Sequence, residues 1–288
     1  RVVRGEAVAV DSAGVTLADG QRVEADYIVL ATGSTNLAPM RTASGDIAEL
    51  RANNARWHEA LAAANSVLII GAGAVGTELA GEIAHAMPDK TVTLVSSDAT
   101  LFPGHPEKLG RSLQGKLEKM GVGIITGERA ETLPGREAPE GGRVKLSGGL
   151  EIEADLVIPA VGSRALAGLA ETLPGAKLDA AGRVQVDPWL RPSELSNVFA
   201  AGDVADAGDA MTIVAISRQK PWIEKALKAL ASGKSLDSFK PYAPWGAKAP
   251  FLIPLGPERG NAFLMIATFG DWLTGMMKGK DLFIAKYR

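Results

Sequence analysis

Four apolar residues, Val67-Leu68-Ile69-Ile70, run directly into Gly71-Ala72-Gly73-Ala74-Val75-Gly76, after which Val75, Leu79 and Ile83 recur at helical spacing. A short, mostly β-branched apolar run reads as a strand buried on both faces. Glycines spaced G-x-G-x-x-G between such a strand and a helix form a phosphate-binding turn, and the strand and helix give the motif its specificity. Gly71 permits the tight turn, Gly73 lets a pyrophosphate reach the backbone, and Gly76 lets helix and strand pack closely. Ala74 and Val75 open the helix, whose unpaired N–H groups and partial positive charge favour an anion. The other reading is a glycine-rich turn with only a structural role, and the flanking strand and helix argue against it. A chain built around this stretch is predicted to form a parallel, helix-covered α/β sheet.

A second feature sets the organisation. Val15 to Ser34 (VTLADGQRVEADYIVLATGS) and Val144 to Ser163 (VKLSGGLEIEADLVIPAVGS) align without a gap, with 9 identities in 20 positions at an offset of 129. Each copy carries a hairpin, an Ala-Asp pair, a buried strand and a Gly-Ser exit. Repetition on this scale implies two related α/β halves. The second copy follows the glycine motif, so the first copy's own motif is expected before residue 1. The chain is then read as N-terminally incomplete by about sixty residues.

The remaining elements follow in order. Residues 2–10 read as a strand and residues 14–24 as a hairpin about Ala18-Asp19-Gly20. Residues 25–34 read as a buried strand and 49–64 as a helix. Thr91 to Ser96 is the next strand, and Lys108 to Met120 is an amphipathic helix with Leu109, Leu113 and Leu117 one turn apart. Gly121 to Thr126 is a strand, residues 164–187 are irregular with a short β piece at 184–186, and residues 197–203 form a strand ending in Gly202-Asp203. A helix over 213–231 contains Pro221, which marks a kink or a restart. Short strands are expected between 242 and 268. These readings divide the chain into 1–45, 46–165, 166–235 and 236–288.

Composition excludes several classes of function. The chain has no cysteine, which removes disulfides, thiolate metal sites and thiol redox chemistry and fits a reducing, cytoplasmic setting. His58, His85 and His105 show no metal-ligand spacing, so no metal is expected. No apolar run reaches the roughly 18 residues that suggest a membrane span, and no signal peptide opens the chain. Residues 216–288 carry 12 Lys and Arg against 5 Asp and Glu. That basic third reads either as a solvated face or as a surface for anionic partners, including peripheral contact with a membrane. Nothing resembles a nucleic-acid-binding motif, so no nucleic-acid partner is expected.

The acid that would hold the ribose of NAD belongs about 20 residues past the last glycine, and a nearby Arg would favour NADP. That place holds Ser96, followed by Ser97 and Asp98. Two hydroxyls can bond a ribose or a phosphate, so Ser96 is a cofactor-binding candidate and weak discrimination between NADH and NADPH is expected. A preference above about a hundredfold, roughly 2.7 kcal/mol, would contradict it. Glu78 and Glu82 lie one helical turn apart. They are either helix-favouring acids near a positive helix end or, for Glu78, a group facing the nicotinamide. At Gly202-Asp203, a carboxylate at a strand's C-terminal end can accept hydrogen bonds from a sugar-like chain, and the following helix start can face a flavin.

These stretches together resemble the pyridine nucleotide-dependent flavoprotein oxidoreductases. The residues that carry the likeness are Gly71 to Glu82, the two exits Ala31-Thr32-Gly33 and Ala160-Val161-Gly162, and Ala200-Ala201-Gly202-Asp203. Phe239-Lys240-Pro241-Tyr242 and Asp281-Leu282-Phe283-Ile284 are similar to the apoptosis-inducing-factor-like branch. That branch includes the ferroptosis-suppressor type, with type II NADH dehydrogenases as cousins. The resemblance implies two Rossmann-like three-layer domains, the NAD(P) domain inserted in the FAD domain, and a small C-terminal α+β region. It implies FAD and NAD(P)H as cofactors, hydride transfer from nicotinamide to flavin, and a quinone as acceptor. Glu78 matches a glutamate near the nicotinamide and is the catalytic candidate. Gly162, Thr32, Gly33, Gly202 and Asp203 border the cofactors, and the backbone at Ala7 meets the adenine of FAD. The sequence departs from the family in lacking the redox Cys pair of the disulfide reductases and in placing Met211 where a Lys often stands. The alternatives are a non-catalytic NAD(P)-binding module, which would be colourless yet still bind NAD(P)H, and a peripheral membrane protein that uses the basic tail.

Overall fold

The computed structural model describes residues 1–36, 39, 46–236, 239–265, 267–280 and 282. It divides into two compact units, Arg1–Thr35 with Arg164–Ala249, and Asn36–Ser163 with Pro250–Arg288. In chain order the first stretch holds β1 (Ala7–Asp11), β2 (Gly14–Leu17), β3 (Arg22–Glu24), β4 (Ile28–Leu30) and β5 (Ser34–Thr35). The second unit opens with α1 (Ile47–Ala63), β6 (Ser66–Ile70), α2 (Ala74–Ala86), β7 (Thr91–Val95), α3 (Glu107–Lys119), β8 (Gly123–Ile125), β9 (Glu140–Lys145) and β10 (Glu151–Pro159). The chain then returns to the first unit with β11 (Arg164–Ala165), β12 (Val184–Gln185), β13 (Val198–Ala200), β14 (Ala205–Asp206) and α4 (Ile213–Ala231). It closes in the second unit with β15 (Phe251–Pro254), β16 (Gly260–Leu264), β17 (Ala267–Phe269) and α5 (Asp271–Thr274), continued by a π-helical turn at Gly275–Gly279.

The second unit is organised by one sheet in the order β8-β7-β6-β10-β9. The first four strands are parallel and β9 is an antiparallel edge. Val67 to Ile70 are all buried because β6 lies in the middle of the sheet, with β7 and β10 on either side. Ile69 and Leu94 point into a core with Leu109, Leu113 and Leu117, the apolar stripe of α3. Leu68, Ile70, Val95 and Val157 face a second cluster on the other side. A sheet covered on both faces is the expected Rossmann-like arrangement.

In the first unit β4 and β13 pair in parallel, Ile28 to Leu30 beside Val198 to Ala200. Ile28, Leu30, Val198 and Ala200 share a core with Val10, Val184 and Val204, while Phe199 packs on the other side with Ala226 and Leu236. β1, β2 and β3 form the expected antiparallel meander.

Several expectations are corrected. The first strand starts at Ala7, where its pairing with Leu17 begins, and residues 2–5 are exposed. The two repeat copies differ in strand length. β10 runs through Pro159 with β6 and β9 paired on either side, whereas β4 pairs only with β13 among the described residues. Helix α4 runs from Ile213 to Ala231 with Pro221 inside it, so of the two readings the restart does not occur. The C-terminal stretch 236–288 is divided between the units at Ala249/Pro250. Ile253, Leu255 and Phe263 belong to the same core as the α3 leucines, which explains why β15 and β16 go with the second unit. Lys116 on α3 reinforces this join with an ion pair to Asp271 at 2.7 Å. The tail signature Asp281, Phe283 and Ile284, with Lys286 and Arg288, lies outside the described residues.

Candidate functional site

The glycine turn sits at the carboxyl end of β6, beside the carboxyl ends of β7 and β10. Gly71 has φ +109°, and a Cβ on it would lie 2.5 Å from the carbonyl oxygen of Ala160. A Cβ on Gly76 would lie 1.9 Å from the carbonyl oxygen of Gly71, so only glycine lets α2 begin this close to the strand. Gly73 is the opposite case. It is the N-cap of α2, no side chain caps the helix there, and no atom lies within 4 Å of where its Cβ would be. The backbone at Gly73 is therefore open to an approaching group, next to uncapped helix N–H groups. An open cradle next to free donors fits a dinucleotide pyrophosphate.

A cavity of about 690 Å³ extends from this turn. Among the expected residues, Gly71, Gly73, Ala74, Val75, Ser96 and Gly162 line it. Gly76 does not, and acts by shaping the turn from behind. Ser96 is buried, and its hydroxyl already accepts the backbone N–H of Asp98 at 3.2 Å, so its side chain holds the turn. Phe102, His105 and Arg129 also line the cavity, and sequence reasoning had singled out none of them for it. Phe102 has φ +53°, unusual for an aromatic residue, and its ring stacks on Phe251 at 5.6 Å. Burial pushes the His105 imidazole below its ordinary value.

Glu78 is not among the lining residues. Lys278, two hundred positions along the chain, donates to its carboxylate at 2.6 Å. Burial pushes the Glu78 carboxyl up, and the Lys278 ammonium pulls it back only in part. The neighbouring Glu82 accepts the backbone N–H of Gly256 at 3.2 Å. Both acids thus tie α2 to the C-terminal elements of its own unit. Removing Lys278 as Lys278→Met is expected to cost about 1–3 kcal/mol at pH 8, a value reduced from that of a fully buried pair by the partial exposure. A raised carboxyl favours the folded state below its unfolded pKa and loses that contribution as pH rises through the folded value. The deficit should therefore shrink toward pH 4 in urea melts, and a pH-independent deficit would contradict this.

In the first unit the pairing of β4 with β13 places two exits side by side. Asp203 accepts the hydroxyl of Ser34 at 2.7 Å. Thr32 donates its hydroxyl to the carbonyl of Leu166 at 2.7 Å, and Gly33 and Gly202 take positive φ of 72° and 76°. Asp203 keeps its second carboxylate oxygen without a partner among the described residues. A carboxylate with a free oxygen at a strand end fits a polyhydroxyl chain such as the ribitol of FAD. Ala7 lies in the meander, a different sheet from this cluster.

Behind Gly202 lies a buried polar relay. The Gly202 N–H donates to Gln219 Oε1 at 2.7 Å, and Gln219 Nε2 reaches Asp209 at 3.5 Å. Asp209 also accepts Tyr242 Oη and the N–H groups of Trp245 and Gly246. Burial alone would raise the Asp209 carboxyl, but these donors outweigh it and hold the group below the usual carboxylate range. The same burial and the adjacent carboxylate push the Tyr242 phenol up.

Known proteins resemble this chain in sequence and in fold. The family model described as pyridine nucleotide-disulphide oxidoreductase matches residues 1–233. Apoptosis-inducing factor homolog B of Dictyostelium discoideum is 28% identical, over 100% of this chain and 79% of its own length. Ferroptosis suppressor protein 1 of Homo sapiens is 26% identical, over 94% of this chain and 73% of its own. Among solved structures, a NAD-dependent persulfide reductase from A. fulgidus superposes with a TM-score of 0.66 at 20% identity. That superposition covers 90% of this chain but only 48% of the solved one, so this chain spans about half that protein's length. The chain belongs to the pyridine nucleotide-disulphide oxidoreductase family, a family of FAD and NAD(P)H oxidoreductases.

Proposed function

We propose that the protein is an FAD-dependent NAD(P)H oxidoreductase that passes electrons to a quinone. The observation that carries the dinucleotide half is the open backbone at Gly73, between two glycines that have no room for a side chain. Gly71 and Gly76 shape the turn, and the N–H groups at the start of α2 hold the phosphates. The Asp203 carboxylate, steadied by Ser34, holds the ribitol of the flavin, and Gln219 fixes the Gly202 turn beside it. Bound together, the nicotinamide and the flavin supply the hydride and electron chemistry, and the protein supplies binding and orientation. The quinone rests on the resemblance to the ferroptosis-suppressor-like branch. Anaerobic protein reduced with NAD(P)H should be reoxidised within seconds by a short-chain ubiquinone. Reoxidation by ferricyanide or oxygen but not by the quinone would remove the quinone and leave the oxidoreductase.

We also propose peripheral membrane contact through the C-terminal elements of the second unit. No helix among the described residues is long and apolar enough to cross a membrane. Trp272 is 77% exposed and Met276 56%, one turn apart on the same helical surface, in the basic third of the chain. Such a surface can rest at a lipid interface. The variant Trp272→Ser/Met276→Ser should lower binding to anionic liposomes several-fold in co-sedimentation, and unchanged binding would reject the contact.

A further inference from the structure

The cavity beside the glycine turn contains a charged group that the fold leaves unused. Hydrogen bonds pair the segment after β8 with the turn after β7. Gly127 N–H donates to Asp98 O at 2.8 Å, and Glu128 N–H donates to Ser96 O at 3.0 Å. The next residue, Arg129, is fixed through its backbone from the other side. Its N–H donates to Ser147 Oγ at 3.1 Å, and its carbonyl accepts the Ser147 N–H at 2.9 Å. Arg129 lines the cavity with Ser97 and Asp98, and its side chain has no ion pair or hydrogen bond among the described residues.

The obvious internal partner is already engaged. The Glu128 carboxylate accepts Ser147 Oγ at 2.8 Å and Gly148 N–H at 2.7 Å, and the Gly148 amide and Ser147 hydroxyl hold it below the ordinary carboxylate range. The fold therefore spends the acid of the Glu-Arg pair on the hairpin and leaves the base at the cavity wall. The position where an acid would grip both ribose hydroxyls holds the neutral Ser96, whose hydroxyl accepts the Asp98 N–H.

On the reading that this cavity takes a dinucleotide, we infer that it selects NADPH, with Arg129 and the Ser97 hydroxyl binding the 2′-phosphate. A guanidinium offers two parallel donors to a phosphate, and such charge-assisted bonds are among the strongest available. Asp98 lines the same wall as a like charge to the phosphate and weakens it, so the preference is moderate. The expectation of weak discrimination came from 96–98 alone, and Arg129 adds the missing cation.

The test is equilibrium binding by nucleotide fluorescence, with 2′,5′-ADP and 5′-ADP as competitors. Unmodified protein should bind NADPH at least about tenfold more tightly than NADH, the ratio expected for one such contact. Arg129→Gln should erase that ratio by weakening NADPH, with NADH affinity within about twofold. Asp98→Asn should tighten NADPH further, and added salt should narrow the wild-type ratio. Arg129 is exposed, so thermal melts of its variant should match the parent. An unchanged ratio in Arg129→Gln, with both nucleotides still bound, would overturn the inference and leave the dinucleotide reading standing. Failure of the unmodified protein to bind either nucleotide would overturn both.

Discussion

Gly76→Ala is expected to lower both nucleotide affinity and folding stability, whereas Gly73→Ala, three residues earlier, should lower affinity alone. The added Cβ at 76 would lie 1.9 Å from a backbone oxygen. No side-chain rotation can relieve that contact, so α2 must move off β6. Overpacking of this kind costs about 1–3 kcal/mol, and the displaced N–H groups should lose NAD(P)H by about a hundredfold or more. At Gly73 the backbone is already near φ −71° and the Cβ site is empty, so alanine fits without strain. The methyl group then occupies the space a pyrophosphate would use. Circular dichroism melts and fluorescence titrations separate the two outcomes. A Gly73→Ala protein that binds NAD(P)H normally would show that phosphate does not approach there.

The second large effect is expected at Asp209. Its carboxylate is almost fully buried and collects donors from Tyr242, Trp245, Gly246 and Gln219. Asp209→Ala leaves the buried Tyr242 hydroxyl and the half-buried Trp245 N–H without the acceptor they share. Loss of a buried charged acceptor costs about 3–5 kcal/mol. It also frees Gln219, which holds Gly202, so flavin retention should fall with stability. The pH dependence has a definite sign. Asp209 has a folded pKa below its unfolded value, so its contribution is present above the unfolded carboxylate pKa and is lost as pH falls through the folded one. Urea melts of the unmodified protein should weaken on acidification, and Asp209→Asn should flatten part of that slope. Identical slopes would show that Asp209 is not the titrating group.

What could be read from the sequence follows the range of the forces involved. The β6-turn-α2 stretch is decided by neighbours within a dozen residues, so glycine spacing and apolar periodicity announce it. The α3 leucines, at i, i+4 and i+8, are legible for the same reason. The meander and its repeat were visible because both copies keep the same turn chemistry. The partners that tune the site are distant in sequence. Lys278 reaches Glu78 across two hundred residues, and no pattern around either one signals the other. Arg129 comes to line the cavity because the segment after β8 continues the β7 pairing, a matter of register that periodicity does not report. Asp209 reads as one acid in a glycine-rich loop until Tyr242 and Trp245 fold over it. The C-terminal division was missed because Ile253 and Phe263 look like any short strand until the α3 leucines supply their partner surface.

The most direct test of the two-cofactor account is an anaerobic titration of the purified protein, supplied with FAD, against NADPH and NADH in the visible range. The account predicts a bound, yellow flavin whose absorption near 450 nm is lost stoichiometrically on adding the nicotinamide, with Asp203→Ala losing the flavin and Gly73→Ala losing the bleaching. A protein that binds NAD(P)H yet never holds or bleaches a flavin would contradict it.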